Sequence, residues 1–183
     1  MEKILNCKKC ELYQNQKPLM DSAGEADVFL VGLSAKKIGK NGFSPLSEKT
    51  TSGKVIKKIE DTCQGIRFYK TNLVKCLPLS ENGKIRYPRK EEMDCCFENL
   101  VWEISVLKPQ IVFLLGEKVY ANVGKNLKIE FKKPDDIQFH AIEYDGIWLV
   151  PVQHPAYIGV YRKKDEEKYI EDIRQTVLKL LYG

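Results

Sequence analysis

The chain has 183 residues, 43% of them hydrophobic and 30% charged, a composition that excludes intrinsic disorder and gives one domain a full core where two would be cramped. Thirty Lys and Arg against 25 Asp and Glu leave a net charge of +5 and a pI near 8.8, compatible with a polyanionic partner without demanding one. The longest notable apolar run, Ile111 to Leu115, falls far short of the roughly 20 residues of a membrane-spanning helix.

Met1 to Leu5 carries no apolar signal segment before Cys7, so a cytoplasmic, reducing location is expected, with no membrane partner. Ala26 to Leu33 is a short apolar run and predicts a buried strand. Ser52 to Cys63 predicts a helix, with Val55, Ile56, Ile59 and Cys63 on one face and Lys57, Lys58 and Asp61 off it. Arg67 to Val74 gives a second strand. Lys90 to Leu107 predicts a longer helix, opened by Glu91 and Glu92 and closed before Pro109. Gln110 to Leu115 is the third strand, and Gly116 leads into a short helix through Asn122. Phe139 to Tyr144 and Ile147 to Val152 flank Asp145-Gly146, a two-residue hairpin signal. A last amphipathic helix runs from about Lys164 to Tyr182.

Strands separated by helices predict an α/β chain. The expected fold class is a three-layer α/β/α sandwich around a mostly parallel sheet, with residues 1–183 forming one monomeric domain. Ligands in such sheets bind beyond the carboxyl ends of the strands. Here those ends are Gly32-Leu33-Ser34, Asn72 to Cys76, Gly116 and Gln153-His154-Pro155.

The six cysteines are Cys7, Cys10, Cys63, Cys76, Cys95 and Cys96, and in a reducing compartment they point to metal rather than disulfides. Cys7 and Cys10 have the C-x-x-C spacing that lets two thiolates meet one metal centre. Cys76 follows a strand end, and Cys95-Cys96 lies in the first turns of the next helix. Four such thiolates suit either an iron–sulfur cluster or a zinc ion. The alternative, small buried core residues, sits poorly with the polar Cys-Lys-Lys-Cys pair but fits Cys63 on its apolar helix face.

Thr71-Asn72-Leu73-Val74-Lys75-Cys76-Leu77-Pro78 and Pro88-Arg89-Lys90-Glu91-Glu92-Met93-Asp94-Cys95-Cys96 resemble the motifs of the iron–sulfur uracil-DNA glycosylases called family 4. Cys7-x-x-Cys10-x-Leu12, Leu107-Lys108-Pro109-Gln110-Ile111-Val112, Leu115-Gly116 and Gln153-His154-Pro155-Ala156 match that family's remaining motifs in order. The resemblance covers nearly the whole chain. It implies a 4Fe–4S cluster on Cys7, Cys10, Cys76 and one of Cys95 and Cys96. The family's Leu four residues after its last ligand, here Leu100, favours Cys96. The cluster in that family is structural.

The resemblance implies base excision from DNA, by hydrolysis of the N-glycosidic bond after the base is flipped from the stack. The chemistry needs a donor to the base as it leaves as an anion, a group to read its edge, and a group to hold water at the sugar. His154 fits the first role and Asn72 the second, since an amide presents both a donor and an acceptor. A structural histidine and a turn-capping asparagine are the plain alternatives.

Two motifs depart from the family. Its Gly-Glu-Ala-Pro-Gly is here Gly32-Leu33-Ser34-Ala35-Lys36, so Leu33 stands at the position of the Glu. Ser34, where related branches carry Asp or Asn, can hold a water without supplying charge. Its Gly-x-Pro-Phe becomes Ser44-Pro45-Leu46, putting Leu46 at the base-stacking position, with Phe43 nearby as a replacement. Ser52, Gly53 and Lys54 at a helix start suit a DNA phosphate or form an ordinary cap. In the superfamily the segment after the histidine wedges into the duplex, which implies DNA contact for Ile158, Val160, Tyr161 and Arg162; a solvated basic turn is the alternative. The leading expectation is a glycosylase for uracil or another deaminated or damaged base. A catalytically weak or inactive DNA-binding module of the same fold and a zinc-stapled binding domain are the competitors.

Overall fold

The computed structural model describes residues 2–22, 24–37, 44–134 and 139–183. In chain order they form α1 (Glu2–Leu5), β1 (Val28–Ser34), α2 (Thr51–Thr62), β2 (Phe68–Val74), α3 (Lys90–Leu107), β3 (Ile111–Leu115), α4 (Glu117–Leu127), β4 (Ile142–Tyr144), β5 (Ile147–Val152), α5 (Pro155–Tyr161) and α6 (Glu166–Tyr182).

Val28, Phe29, Leu30 and Val31 are all fully buried, as a strand covered on both faces requires. β1 accordingly lies inside a five-stranded sheet of order β2-β1-β3-β5-β4. The β2–β1, β1–β3 and β3–β5 pairs are parallel, and only β4 runs antiparallel, at the edge. Asp145 and Gly146 join β4 to β5 with φ of 51° and 76°, the left-handed pair that a tight two-residue hairpin requires. Pro151 is tolerated in β5 because the N–H of Trp148 bonds toward β3. By alternation the nitrogen of Pro151 faces the other side, where β4 has already ended.

Apolar side chains leave the sheet on both faces. Phe29, Val31, Tyr69 and Leu73 pack with Met93, Cys96 and Leu100 of α3 and Val119 and Val123 of α4. Val28, Leu30, Phe113 and Val150 pack with Val55, Ile56 and Ile59 of α2, Ile158 of α5, and Ile170, Ile173 and Val177 of α6. The result is the expected α/β/α sandwich. No helix among the described residues is long and apolar enough to cross a membrane.

Several boundaries differ from expectation. β4 has three residues where the pattern suggested six from Phe139, because pairing with β5 stops at Ile142↔Leu149. α4 continues through Leu127, its apolar face closing on the first core. The segment after His154, expected as a loop, is helix α5. Pro155 opens it at the position where a missing N–H is harmless, and Gly159 lets it close onto α2, a Cβ there falling 3.1 Å from Thr51 Cγ2.

Candidate functional site

The carboxyl ends of β1, β2 and β5 gather Gly32, Ser34, Asn72 and His154 along one edge of the sheet. Gly32 pairs with Asn72 across β1 and β2, so the Asn72 side chain leaves the face that a side chain at position 32 would also take. Asn72 is buried (3% exposed). A Cβ on Gly32 would lie 2.5 Å from Asn72 Oδ1 and 3.0 Å from Leu46 Cδ2. Only glycine therefore leaves room for the amide of Asn72 and the Leu46 side chain to meet over β1. Leu46 itself has φ of 52°, the left-handed backbone of a sharp turn carrying the chain over the site. Ser34, half-buried, alternates with Gly32 onto this same face. Leu33 does not. It packs against the core on the α3 and α4 face.

His154 caps α5. Its Nδ1 accepts the N–H of Ala156 at 3.2 Å, which leaves Nε2 to carry the proton in the neutral ring. Burial, reinforced by the charge of Lys36 just beyond β1, holds the His154 pKa below the usual histidine value. At neutral pH the imidazole is thus an uncharged donor through Nε2–H. Tyr169 O–H donates to the Gln153 carbonyl at 2.7 Å, and His154 Cβ would touch a Cβ on Gly116 at 3.1 Å. The first motif's spacing gives no sign that Lys36 acts on His154, because only the fold brings the charge beyond β1 within reach of the residue after β5. No Asp or Glu occurs between Asp27 and Glu48, so β1 and the first motif that follows it contain no carboxylate.

A cavity lies behind the β2 end. Cys7, Cys10, Cys76, Cys95 and Cys96 line it with Lys75 and Asn99. Asn99 Nδ2 donates to Cys7 Sγ and Cys96 Sγ, each at 3.5 Å, and the Lys75 N–H donates to Cys96 Sγ at 3.5 Å. Cys95 instead donates its S–H to the Lys9 carbonyl at 3.4 Å. Burial pushes the thiols of Cys10, Cys95 and Cys96 up, and that of Cys76 to about 12. Without a compensating cation these sulfurs stay protonated. Among the described residues no three His, Cys, Asp or Glu are grouped closely enough to hold a single metal ion. Cys63 stands apart, buried at the end of α2 as expected of a core residue.

The predicted DNA-contacting residues divide. Ile158 is 2% exposed and sits in the core with α2 and α6. It corrects the expectation of a wedge, because helix formation turns Ile158 inward. Val160 and Tyr161, at 57% and 76% exposed, are on the outer face of α5, and Arg162 Nε donates to Asp165. The cap of α2 is Thr50, whose Oγ1 accepts the Gly53 N–H at 3.0 Å and meets Ser52 Oγ at 3.2 Å. A Cβ on Gly53 would fall 1.9 Å from the Ser47 carbonyl oxygen. Gly53 N–H and Ser52 Oγ thus serve the helix cap, which is centred on Thr50, while Lys54 is exposed. Phe43 lies outside the described residues.

The family model described as the uracil DNA glycosylase superfamily matches residues 18–178. The chain is 22% identical to a type-4 uracil-DNA glycosylase of Archaeoglobus fulgidus, over 96% of this chain and 88% of that one. It is 23% identical to one from Thermotoga maritima, over 96% and 90%. A third, from Pyrobaculum aerophilum, is 27% identical over 63% of this chain and 58% of that one. The solved structure of SMUG2 from Pedobacter heparinus shares the fold, with a TM-score of 0.54 and 14% identity over 87% of this chain and 78% of that one. The match runs from Pro18 into α6 and takes in every strand of the sheet, so the chain belongs to the uracil DNA glycosylase superfamily.

Proposed function

We propose that this chain is a DNA glycosylase that hydrolyses the N-glycosidic bond of uracil, or of another deaminated or damaged base, after flipping that base from the stack. The observation that carries the reading is His154. It is neutral, its tautomer is set by Ala156, and it presents Nε2–H on the sheet edge that also holds the Asn72 amide over Gly32. A donor preset for the anion developing on the departing base stabilises the transition state more than the ground state. Asn72 reads the edge of the base, Leu46 covers it, and Ser34 holds the attacking water. Exposed Val160 and Tyr161 meet the duplex, and Lys54 and Arg162 its phosphates.

The thiol cavity fits a 4Fe–4S cluster on Cys7, Cys10, Cys76 and Cys96. Several thiols line one shared space, and a 4Fe–4S cluster takes a thiolate on each of its four irons. Cys96 receives two N–H···S bonds, the kind that tunes a cluster thiolate, while Cys95 spends its own proton on a carbonyl. The cluster would supply structural closure of the N-terminal segment onto β2 and α3. Cys96→Ala is therefore expected to abolish the broad absorption at about 400 nm of anaerobically purified protein, and Cys95→Ala to retain it. Equal loss in both variants would refute the assignment.

The reading is tested by incubating anaerobically purified protein with single- and double-stranded oligonucleotides carrying uracil, hypoxanthine or xanthine, then opening abasic sites with alkali. Cleavage at one of these bases is expected. The missing carboxylate between Asp27 and Glu48 favours one second reading, a weak or inactive binding module of the same fold. Tight binding without cleavage would select it.

A further inference from the structure

Beneath the base-reading end of β2 lies a buried ion pair that neither the fold nor the proposed chemistry explains. Lys75 is 1% exposed and Glu103, on α3, is fully buried. The ammonium of Lys75 donates to Thr71 Oγ1 at 2.8 Å, to the Asn72 carbonyl oxygen at 2.5 Å, and to Glu103 Oε2. All three of its protons are thereby used. Glu103 Oε1 accepts in turn from Tyr69 O–H and Thr71 O–H, both at 3.0 Å. A buried pair of this kind adds little stability over apolar residues of the same volume, because desolvation offsets the attraction. Its value lies in geometry. The backbone N–H of Lys75 bonds Cys96 Sγ while its side chain bonds the Asn72 backbone, so one residue links the thiol cavity to the base-reading amide.

We propose that Lys75 and Glu103 act as positioning residues, holding the Asn72 backbone so that its amide stays over Gly32 and tying that position to the cysteine cavity. The proposal rests on the reading of Asn72 as the group that meets the base. The β1 ladder holds one side of edge strand β2, and Lys75 holds the Asn72 carbonyl oxygen, so the two together fix the backbone from which the Asn72 side chain leaves.

The test is a double-mutant cycle. Lys75→Met/Glu103→Gln removes the ammonium while leaving an amide oxygen to accept from Tyr69 and Thr71. It is expected to lower kcat/KM on uracil oligonucleotides about tenfold to a hundredfold, with absorbance near 400 nm and affinity for an abasic duplex unchanged. In an Asn72→Ala background the same change is expected to cost nothing further, since the residue it positions is gone. A loss that persists in that background, or no loss in the first, overturns the proposal. Should the double variant fail to fold, Lys75→Gln/Glu103→Gln, which leaves no charge unpaired, is carried through the same cycle under the same criterion. If the parent cleaves no base, the proposed function fails separately. The Asn72 side-chain amide resonances in ¹⁵N-labelled protein then decide: they shift in Lys75→Met/Glu103→Gln if the pair aims the amide, and parent-like resonances overturn it.

Discussion

His154→Ala lowers excision by about 10²–10³-fold, the usual cost of deleting one preset donor to a developing anion, and leaves affinity for an abasic duplex within about twofold. The same substitution removes the α5 cap, since His154 Nδ1 accepts the Ala156 N–H, and costs about 1 kcal/mol of stability. Product affinity therefore separates the chemical loss from the structural one. The donor works as the neutral ring, and burial with Lys36 holds its pKa below the ordinary histidine value of about 6.5. Activity is expected to be level above that value and to fall only on acidification beneath it. Stability follows the same sign. The folded pKa lies below the unfolded one, so the contribution is present above the unfolded value and lost as pH falls through the folded one. Single-turnover excision across pH, with a denaturant midpoint at each pH, checks both. A rate that falls as pH rises through neutrality would mean the charged ring is the active form.

Ser34→Asp raises uracil excision by about 10²-fold, comparable to restoring a lost transition-state group. Leu33→Glu does not. Both positions belong to the first motif, but the sheet separates them. Ser34 shares the face of Gly32 and Asn72, where in the proposed mechanism a carboxylate supports the sugar cation and orients water. Leu33 packs, half-buried, against the core built on α3 and α4, away from Gly32 and Asn72. Leu33→Glu is expected to cost about 1–3 kcal/mol of stability with no gain in rate. Rates on a uracil oligonucleotide and urea midpoints of both variants distinguish the two faces. A rate gain in Leu33→Glu, or none in Ser34→Asp, would place the deficit elsewhere.

Much of the architecture was legible because it depends on local pattern. The run Val28 to Val31, the amphipathic face of Val55, Ile56 and Ile59, and the Asp145-Gly146 turn each specify an element through neighbours a few residues away. The cysteine set and the ends of the strands were legible for a related reason. Spacing within a loop and position after an apolar run survive folding unchanged, and five of the six cysteines do line one cavity.

What escaped depends on contacts between segments remote in sequence. Ile158 read as an exposed wedge because its neighbours are aromatic and basic, yet the closure of α5 onto α2 turns it into the core. The cap offered by the segment at Ser52 and Gly53 is present, but only the fold shows that Thr50 makes it and that the Ser47 carbonyl crowds Gly53. Glu103 carried a faint local signal, a charge at helical spacing among Leu100, Ile104 and Leu107. Only the packing of α3 on β2 shows that its partner is Lys75. The sequence by itself determined the elements, their alternation, the family and the inventory of reactive groups, because these follow from short-range periodicity and motif order. The tertiary structure alone decided which face each strand-end side chain serves and which polar groups are already satisfied. A one-residue step along a strand reverses its face, and a hydrogen bond has whatever partner folding brings within reach.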